Sequence, residues 1–353
     1  MGLREVRKKI EEIDREIVRL IDERIKLCKE IAIIKSEADM PVFDPGRERE
    51  VVESAHAAAA LAPAKGVERV FREIISMCRN AQRSLSVAYL GPEGSFSHEA
   101  ATILGSSNRY APCRRIMEIF RSVDNEEADL GVVPLENSIE GSVNETLDCL
   151  MEYPLYIVGE VLLRINQNLM VNPRISSLCD VERLYSHPQA LAQCEGYISR
   201  YLSNAEVVVT ESTARAAELV SRDTKGAAIG SKTAAELNGL RIMAMNIEDS
   251  PKNYTRFAIL SRERSKAEGE KTAVIFFLDN VPGALSRVLS DFAEAGINIT
   301  MILSRPIMGR PWEYFFYMEF EGGIGGESRL RVIENARRKS KSLKVLGSYS
   351  RLA

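Results

Sequence analysis

The stretch Pro251-Lys252-Asn253-Tyr254-Thr255-Arg256-Phe257-Ala258-Ile259-Leu260 passes from polar to apolar within a few residues, and its reading decides the fold. Its second half is the apolar body of a strand, which places Thr255 and Arg256 at a strand end. In open α/β sheets that is where ligand sites lie. Taken alone, the segment is also an ordinary edge strand with a polar entrance, so its neighbourhood has to decide.

On the N-terminal side, from Leu85, short apolar strands alternate with helical stretches, the mark of an α/β domain. Five junctions share one feature. Val87-Ala88-Tyr89-Leu90 runs into Gly91-Pro92-Glu93-Gly94-Ser95-Phe96-Ser97, and Leu130-Gly131-Val132-Val133-Pro134 into Glu136-Asn137-Ser138. Leu184-Tyr185 runs into Ser186-His187-Pro188-Gln189, Val207-Val208-Val209 into Thr210-Glu211-Ser212-Thr213, and Ala227-Ala228-Ile229 into Gly230-Ser231-Lys232-Thr233. Each sets hydroxyls or amides and backbone N–H groups at a helix start, which favours anions. Ser and Thr also serve there as plain N-caps. Five in one domain point to a shared cleft that grips a carboxylate ligand. Gly230-Ser231-Lys232-Thr233 is no P-loop, because the lysine does not directly follow a glycine. His187, beside a proline, reads equally as a loop hydrogen-bonder and as a general acid.

On the C-terminal side, Ser261 to Lys271 is a charged linker. Beyond it the pattern reads strand (272–278), helix (282–295), strand (298–303), strand (313–320), helix (328–341) and strand (344–349). That is the βαββαβ order of an α+β ferredoxin-like sandwich. Gly283, just after Pro282, lets a ligand approach the helix start closely.

The N-terminal region is different. Leu3, Val6, Ile10, Ile13, Ile17, Leu20, Leu27, Ile31 and Ile34 recur at 3-4 spacing, which predicts one long amphipathic helix. Its stripe needs partner helices, from a second copy of the chain on this reading. Arg24 occupies the seam between Leu20 and Leu27, and a buried cation there costs several kcal/mol unless an anion meets it, by a rough estimate. Lys35 follows about 20° from the same face and about 16 Å along the axis, leaving a gap suited to a small dianion. Arg7 points elsewhere, so it serves only another helix or protomer. Asp44, Arg47 and Glu48 lie in a turn opening a second helix; a loop at 62–66 precedes a third, from Val67 to about Arg83, which carries Cys78 and Gln82.

At 353 residues the chain is long for one core and suggests two or three domains. A net charge of −3 with no long basic block gives nucleic-acid binding little support. Six scattered cysteines without a C-x-x-C pair and three well-separated histidines argue against a disulfide framework or metal site. No cofactor is expected. No apolar run approaches a membrane span, so a cytoplasmic protein with reduced thiols is expected. The N-terminal helices hold no Ser-His-Asp set or reactive cysteine, and their chemistry would rely on position and charge alone.

On these residues, 1–84 resembles the all-helical chorismate mutases, intertwined dimers that rearrange chorismate to prephenate. The resemblance assigns carboxylate binding to Arg7 (from the partner chain), Arg24 and Arg47. It assigns ether-oxygen donation to Lys35 and Gln82, and hydroxyl binding to Asp44 and Glu48. Cys78 stands where relatives often carry a serine that touches the substrate carboxylate. Residues 85–262 resemble prephenate dehydratase, two α/β lobes (85–164 with 246–262, and 165–245) like type II periplasmic binding proteins. This implies a cleft with Thr255 at the centre of dehydration, Asn137, Gln189 and Glu211 beside it, Ser95, Ser138, Ser212 and Thr213 at its helix starts, and Arg256 and Phe257 shaping it. Residues 271–353 resemble the phenylalanine-binding ACT domain, with effector motifs at Gly283-Ala284-Leu285 and Ser304-Arg305-Pro306. The second motif departs from its relatives at Leu303, where glutamate is common. The whole order resembles the bifunctional chorismate mutase-prephenate dehydratases, which implies phenylalanine feedback and a homodimer or homotetramer. Two other readings remain open: an amino-acid-sensing binding protein without turnover, and N-terminal helices that merely dimerise the dehydratase.

Overall fold

The computed structural model describes residues 2–38, 40–265, 268–307, 309–310 and 312–352. They form two units, one running to Ser86 with Leu104–Arg109, the other Val87–Ile103 with the chain from Tyr110 onward. Residues 266–267 of the expected linker lie outside the described residues.

In the first unit α1 (Leu3–Glu37) is a helix of 35 residues, about 52 Å long at 1.5 Å per residue. Glu5 in its first turn and Lys35 in its last complement the helix dipole. Its apolar stripe is not covered within the unit: Ile10, Ile13, Ile17, Leu20 and Leu27 are all exposed, Leu27 by 58%. α2 (Pro45–Ala58) opens with Pro45 at its first position and Asp44 as N-cap, accepting from Arg47 N at 3.0 Å. α3 (Ala64–Gln82) buries Ile75, Ser76, Cys78 and Arg79. It begins three residues earlier than the sequence suggested. A first turn needs no intrahelical acceptors for its N–H groups, so Gly66 is tolerated inside it.

The second unit starts with β1 (Ser86–Leu90), α4 (Phe96–Thr102), β2 (Arg109–Cys113), α5 (Ile116–Asp124), β3 (Leu130–Asn137), β4 (Gly141–Ser142), α6 (Asn144–Glu152) and β5 (Tyr156–Arg164). The chain then builds a second lobe from β6 (Asn168–Val171), β7 (Arg183–Ser186), α7 (Pro188–Gln193), α8 (Glu195–Tyr201), β8 (Glu206–Val209), α9 (Thr213–Arg222), β9 (Gly226–Gly230), α10 (Lys232–Leu237) and β10 (Arg241–Ala244). It returns to the first lobe as β11 (Tyr254–Ser261). The first sheet is ordered β2-β1-β3-β11-β5 with β4 on β3, the second β10-β6-β9-β7-β8. β11 lies antiparallel between β3 and β5 and is interior on both sides, which is why Phe257 to Leu260 form an unbroken buried apolar run.

The chain ends in β12 (Lys271–Phe277), α11 (Ala284–Glu294), β13 (Ile299–Pro306), β14 (Tyr314–Glu321), α12 (Glu327–Lys339) and β15 (Ser342–Tyr349), with antiparallel order β13-β14-β12-β15. Strand alternation divides this sheet between two cores. Val274, Phe276, Met318 and Phe320 pack beneath α11 and α12, while Ala273, Ile275, Phe315, Tyr317, Leu346 and Tyr349 join the core of the first α/β lobe. Gly347 permits that docking: its φ is +148° and an added Cβ would sit 2.2 Å from the Ile157 carbonyl oxygen. β13 runs three residues further than the sequence suggested, so Ser304-Arg305-Pro306 lies within a paired strand.

Candidate active sites

In the helical unit Arg24, Cys28 and Lys35 share one face of α1, being spaced by four and then seven residues. Arg24 is partly buried, and its Nη1 donates to Cys78 Sγ on α3 at 2.8 Å and to the Ile74 carbonyl at 3.5 Å. The Cys28 thiol is pushed up to about 11 by burial and its contact with Cys78, against the charges of Arg24 and Lys35. The two cations therefore converge on one neighbourhood. Lys35 Nζ donates to the Pro41 and Val42 carbonyls at 2.8 and 3.1 Å, which ties the turn after α1 back onto it. Arg47 is exposed and pairs with Glu50 at 2.7 Å, while Asp44 serves as the α2 cap. Arg7 is exposed.

The sequence reading missed Arg79. It is 3% exposed, binds Glu48 at 2.6 Å, donates to the Leu104 carbonyl and lies 5.3 Å over the Phe43 ring. Burial raises the Glu48 pKa despite Arg79, which pulls it down. Gln82, one turn further along α3, has its amide oxygen buried without a hydrogen-bond partner among the described residues. The available signal was the spacing Ile75, Cys78, Arg79, Gln82, one face of a helix. Arg24 and Lys35 on α1, and Glu48, Arg79 and Gln82 at the contact of α2 with α3, are charged and amide groups that this unit holds at least partly buried.

In the α/β region, Thr255 stands opposite Asn137 in the β11–β3 pairing, beside a register shift, and such bulges commonly re-aim side chains near sites. Asn137 Nδ2 donates to Thr255 Oγ1 and to Asn253 Oδ1, both at 2.9 Å. Its Oδ1 accepts from Ile139 and Glu140 N–H groups at 2.9 and 3.1 Å, so the amide is held on every side. Thr255 therefore receives a hydrogen bond on its oxygen, which leaves its own hydroxyl proton to be donated elsewhere. Asn253, 1% exposed, carries the chain onward by donating to Gln193 Oε1 on α7 at 3.1 Å, where Gln167 Nε2 also donates at 3.2 Å. Gln167 N in turn donates to Glu248 Oε2 at 2.9 Å. Asn253, Gln193 and Gln167 had no signal in the sequence. They join the two crossings between the lobes, so the network ties Thr255 to both crossing segments. Gln189 lies one turn before Gln193 on α7 and shares its face.

Ser138 does not open a helix as the sequence suggested, because the chain after β3 turns directly into the paired strand β4; instead it clamps the entrance to β11, donating to the Lys252 carbonyl and accepting from Tyr254 N, each at 2.9 Å. Phe257 is buried in the core beneath. Ser95 and Ser212 act as N-caps of α4 and α9, accepting from His98 N at 3.2 Å and Arg215 N at 3.0 Å. Thr213 opens α9, and Glu211 before it is exposed. His187 caps α7 through Nδ1. Ser231 Oγ donates to the Gly94 carbonyl at 2.7 Å and joins the lobes on the other side. No described hydrogen bond joins Ser95, Glu211, Ser212 or Thr213 to the Thr255 network. Arg256 is held by Glu136, Glu160 and Glu319. Among the described residues no group of three or more His, Cys, Asp or Glu side chains is placed to hold a metal ion, and no helix is long and apolar enough to cross a membrane.

In the last domain Gly283 adopts φ +76° and caps α11, which Ala284 and Leu285 open. Ser304, Arg305 and Pro306 lie opposite Phe316, Phe315 and Tyr314. Arg305 also forms a two-pronged pair with Asp148 of α6 at 2.9 and 2.6 Å.

Comparison with known proteins divides the chain in the same order. Residues 6–83 match the family model of chorismate mutase type II, 87–265 that of prephenate dehydratase, and 272–338 that of the ACT domain. The chain is 40% identical to the bifunctional chorismate mutase/prephenate dehydratase of Aquifex aeolicus (strain VF5), over 98% of this chain and 97% of that one. A solved prephenate dehydratase from Arthrobacter aurescens in complex with L-Phe is 33% identical, with a TM-score of 0.69 over 76% of this chain and 90% of its own. Another solved structure, GqqA, described as a novel type of quorum quenching acylase, is also 33% identical, with a TM-score of 0.69 over 75% of this chain and 98% of its own.

Proposed function

The chain belongs to the family of bifunctional chorismate mutase/prephenate dehydratases with a C-terminal ACT domain, and from that premise we propose that it takes chorismate through prephenate to phenylpyruvate under phenylalanine control. The functional division is 1–84, 85–262 and 271–353. In the first, Arg24, with Arg47 and the partner's Arg7, holds the two carboxylates in the folded conformer. Lys35 and Gln82 meet the charge that builds on the breaking C–O bond, while Asp44 and Glu48 hold the hydroxyl and Cys78 backs Arg24. The uncovered stripe of α1 supports an intertwined dimer.

In the second, prephenate loses carbon dioxide and its ring hydroxyl together and becomes aromatic, so modest help to the leaving group suffices. Thr255 donates its proton-bearing hydroxyl to that oxygen as a hydrogen bond, its lone pair being occupied by Asn137. A threonine is too weak an acid to give the proton up outright, so the proton that completes water is supplied by another group, Glu211 or a water that passes on a proton from solvent. Gln189, Ser95, Ser212 and Thr213 with the helix starts they occupy, and Ser138 from the turn between β3 and β4, bind the carboxylates. Phenylalanine binds the third domain at Gly283-Ala284-Leu285 and Ser304-Arg305-Pro306. The location is the cytoplasm.

The observation that carries the dehydratase reading is the hydrogen bond from Asn137 to Thr255, which aims a fixed donor without consuming it. An acylase such as the solved relative is described to be needs a nucleophile with a base in reach, whereas the Thr255 hydroxyl meets an amide. Incubating the protein with chorismate, with and without phenylalanine, tests the reading. Transient prephenate followed by phenylpyruvate, suppressed by phenylalanine, is expected; binding of prephenate without turnover would establish the sensor reading instead.

A further inference from the structure

Arg256 follows Thr255 by one step along β11, so its side chain projects from the opposite face of the sheet. There it enters an ion cluster drawn from two domains. Nη1 lies 3.1 Å from Glu136, Nε 3.3 Å from Glu160 and Nη2 2.5 Å from Glu319 Oε1 on β14. Tyr317 and Tyr349 donate to the same Glu319 oxygen at 2.6 and 3.2 Å. Lys271 Nζ spans Glu160 and Glu319 at 3.0 and 3.5 Å, and Arg351 reaches Glu160 at 3.3 Å. The Glu319 and Glu160 side chains are 0% and 2% exposed. Burying such carboxylates gains little net stability, and breaking one partner away is costly, so a cluster of this kind fixes one arrangement of the groups it joins. Burial works against charge on Glu319, but Arg256 and Lys271 hold its pKa below the usual carboxylate value.

The connections run in one line. β13, which bears Ser304-Arg305-Pro306, pairs with β14, and Leu303 lies opposite Tyr317, two residues from Glu319. Glu319 holds Arg256, and Arg256 shares a peptide unit with Thr255. Among the described residues the other polar ties between these domains end on α6 or the turn after it (Arg305 to Asp148, Lys344 to the Leu150 and Tyr153 carbonyls) or on Glu160 of β5 (Lys271, Arg351 and the backbone of Ser350 and Leu352), so the Arg256–Glu319 pair is the polar tie made by the strand of Thr255, whose Ala258 and Leu260 also share an apolar core with the ACT sheet. We propose that Arg256 is a positioning residue through which Glu319 of the ACT sheet sets the placement of the Thr255 hydroxyl, so that effector binding reaches the dehydration step through this ion pair. The proposal rests on the dehydratase reading above.

The test uses Glu319→Gln, Arg256→Met and Arg256→Lys in the full chain. For Glu319→Gln the expected result is a kcat on prephenate reduced about five- to tenfold with KM within twofold. Phenylalanine should still bind within threefold by calorimetry but change the rate by less than twofold, and mutase activity should be unaltered. Arg256→Lys is expected to restore most of what Arg256→Met loses. Tyr317→Phe, which removes one donor to Glu319 and no charge, should act in the same direction more weakly and covers the case in which Glu319→Gln fails to fold. Hydrogen exchange of the segment 252–258 supplies a readout independent of turnover. Phenylalanine should change its protection in the parent chain and not in Glu319→Gln. Unchanged kcat, phenylalanine response and exchange in Glu319→Gln overturn the proposal, as does a raised KM with intact inhibition in Arg256→Lys, the signature of a substrate ligand. A parent chain that never turns over prephenate refutes the dehydratase reading separately, while the exchange comparison still decides the coupling.

Discussion

Replacing Thr255 with valine changes one hydroxyl into a methyl group of nearly the same size, so the effect is confined to hydrogen bonding. In the folded protein Thr255 is 8% exposed and accepts one bond, from Asn137 Nδ2 at 2.9 Å. The other proton of that amide keeps its acceptor, Asn253 Oδ1. The lost bond and the half-satisfied amide together cost about 1–2 kcal/mol of stability. A fall of a few degrees in melting temperature is expected, at roughly 2–4 °C per kcal/mol. Catalysis should suffer far more. Losing one preorganised donor to a developing oxyanion typically costs about 100- to 1,000-fold in kcat, or about 2.7–4 kcal/mol. KM should stay within a few-fold, because the carboxylate-binding groups are untouched. Phenylpyruvate formation from prephenate, followed in parallel with prephenate formation from chorismate, separates the two effects. Thr255→Ser, which keeps the hydroxyl, should retain at least a tenth of the activity. Full dehydratase activity in a folded valine variant would show that Thr255 is not the donor.

Arg79→Met leaves Glu48 without its partner in a largely enclosed site, and a loss of about 2–4 kcal/mol is expected in denaturant unfolding. Because Arg79 opposes the burial that raises the Glu48 pKa, any inflection of the mutase pH profile owed to Glu48 should move to higher pH; a downward move would contradict the pairing. Asp223 is held down to about 2 by its two-pronged bond with Arg183, at 2.7 Å on each prong, with help from Tyr185 and the Lys225 amide. A depressed carboxylate stabilises the fold above its ordinary value near 4 and loses that contribution as pH falls toward 2. Asp223→Asn should therefore cost about 1–2 kcal/mol at pH 7, since Arg183 is partly exposed, and the difference should shrink below pH 4 and vanish as pH falls through about 2. A gap that persists in acid would assign the effect to packing. Gly347→Ala should destabilise the second unit by about 2–3 kcal/mol, because a Cβ there meets the Ile157 carbonyl and a φ of +148° is strained for any other residue; an unchanged urea midpoint would refute the close approach.

Local pattern carried much of this architecture and little of its wiring. The apolar run from Phe257 to Leu260 marked a buried strand, and the alternation of short strands with small polar junctions marked the α/β region. The stripe of α1 was legible because a 3.6-residue period survives over 35 residues. Asn253 was not, since a polar residue before a strand looks like any loop residue, and its value comes from partners more than a hundred positions away in Asn137 and sixty away in Gln193. Arg256 was read only as a wall of the cleft. Its true neighbours left a trace: Glu160 sits between Gly159 and Val161, and Glu319 between Met318 and Phe320, and an acidic residue in so apolar a strand requires a buried cation. Arg79 left a similar trace, a charge on the face of α3 that carries Ile75 and Cys78. In each case periodicity fixes which face a side chain occupies, while the partner across the fold is set by tertiary pairing that no local window contains.

The most direct measurement is to supply Arg24→Ala, in turn, with chorismate and with prephenate. With independent mutase and dehydratase sites on one chain, prephenate formation falls at least a hundredfold while prephenate is converted to phenylpyruvate at the parent rate. Undiminished turnover of chorismate, or loss of both steps together in a chain that still folds, would contradict it.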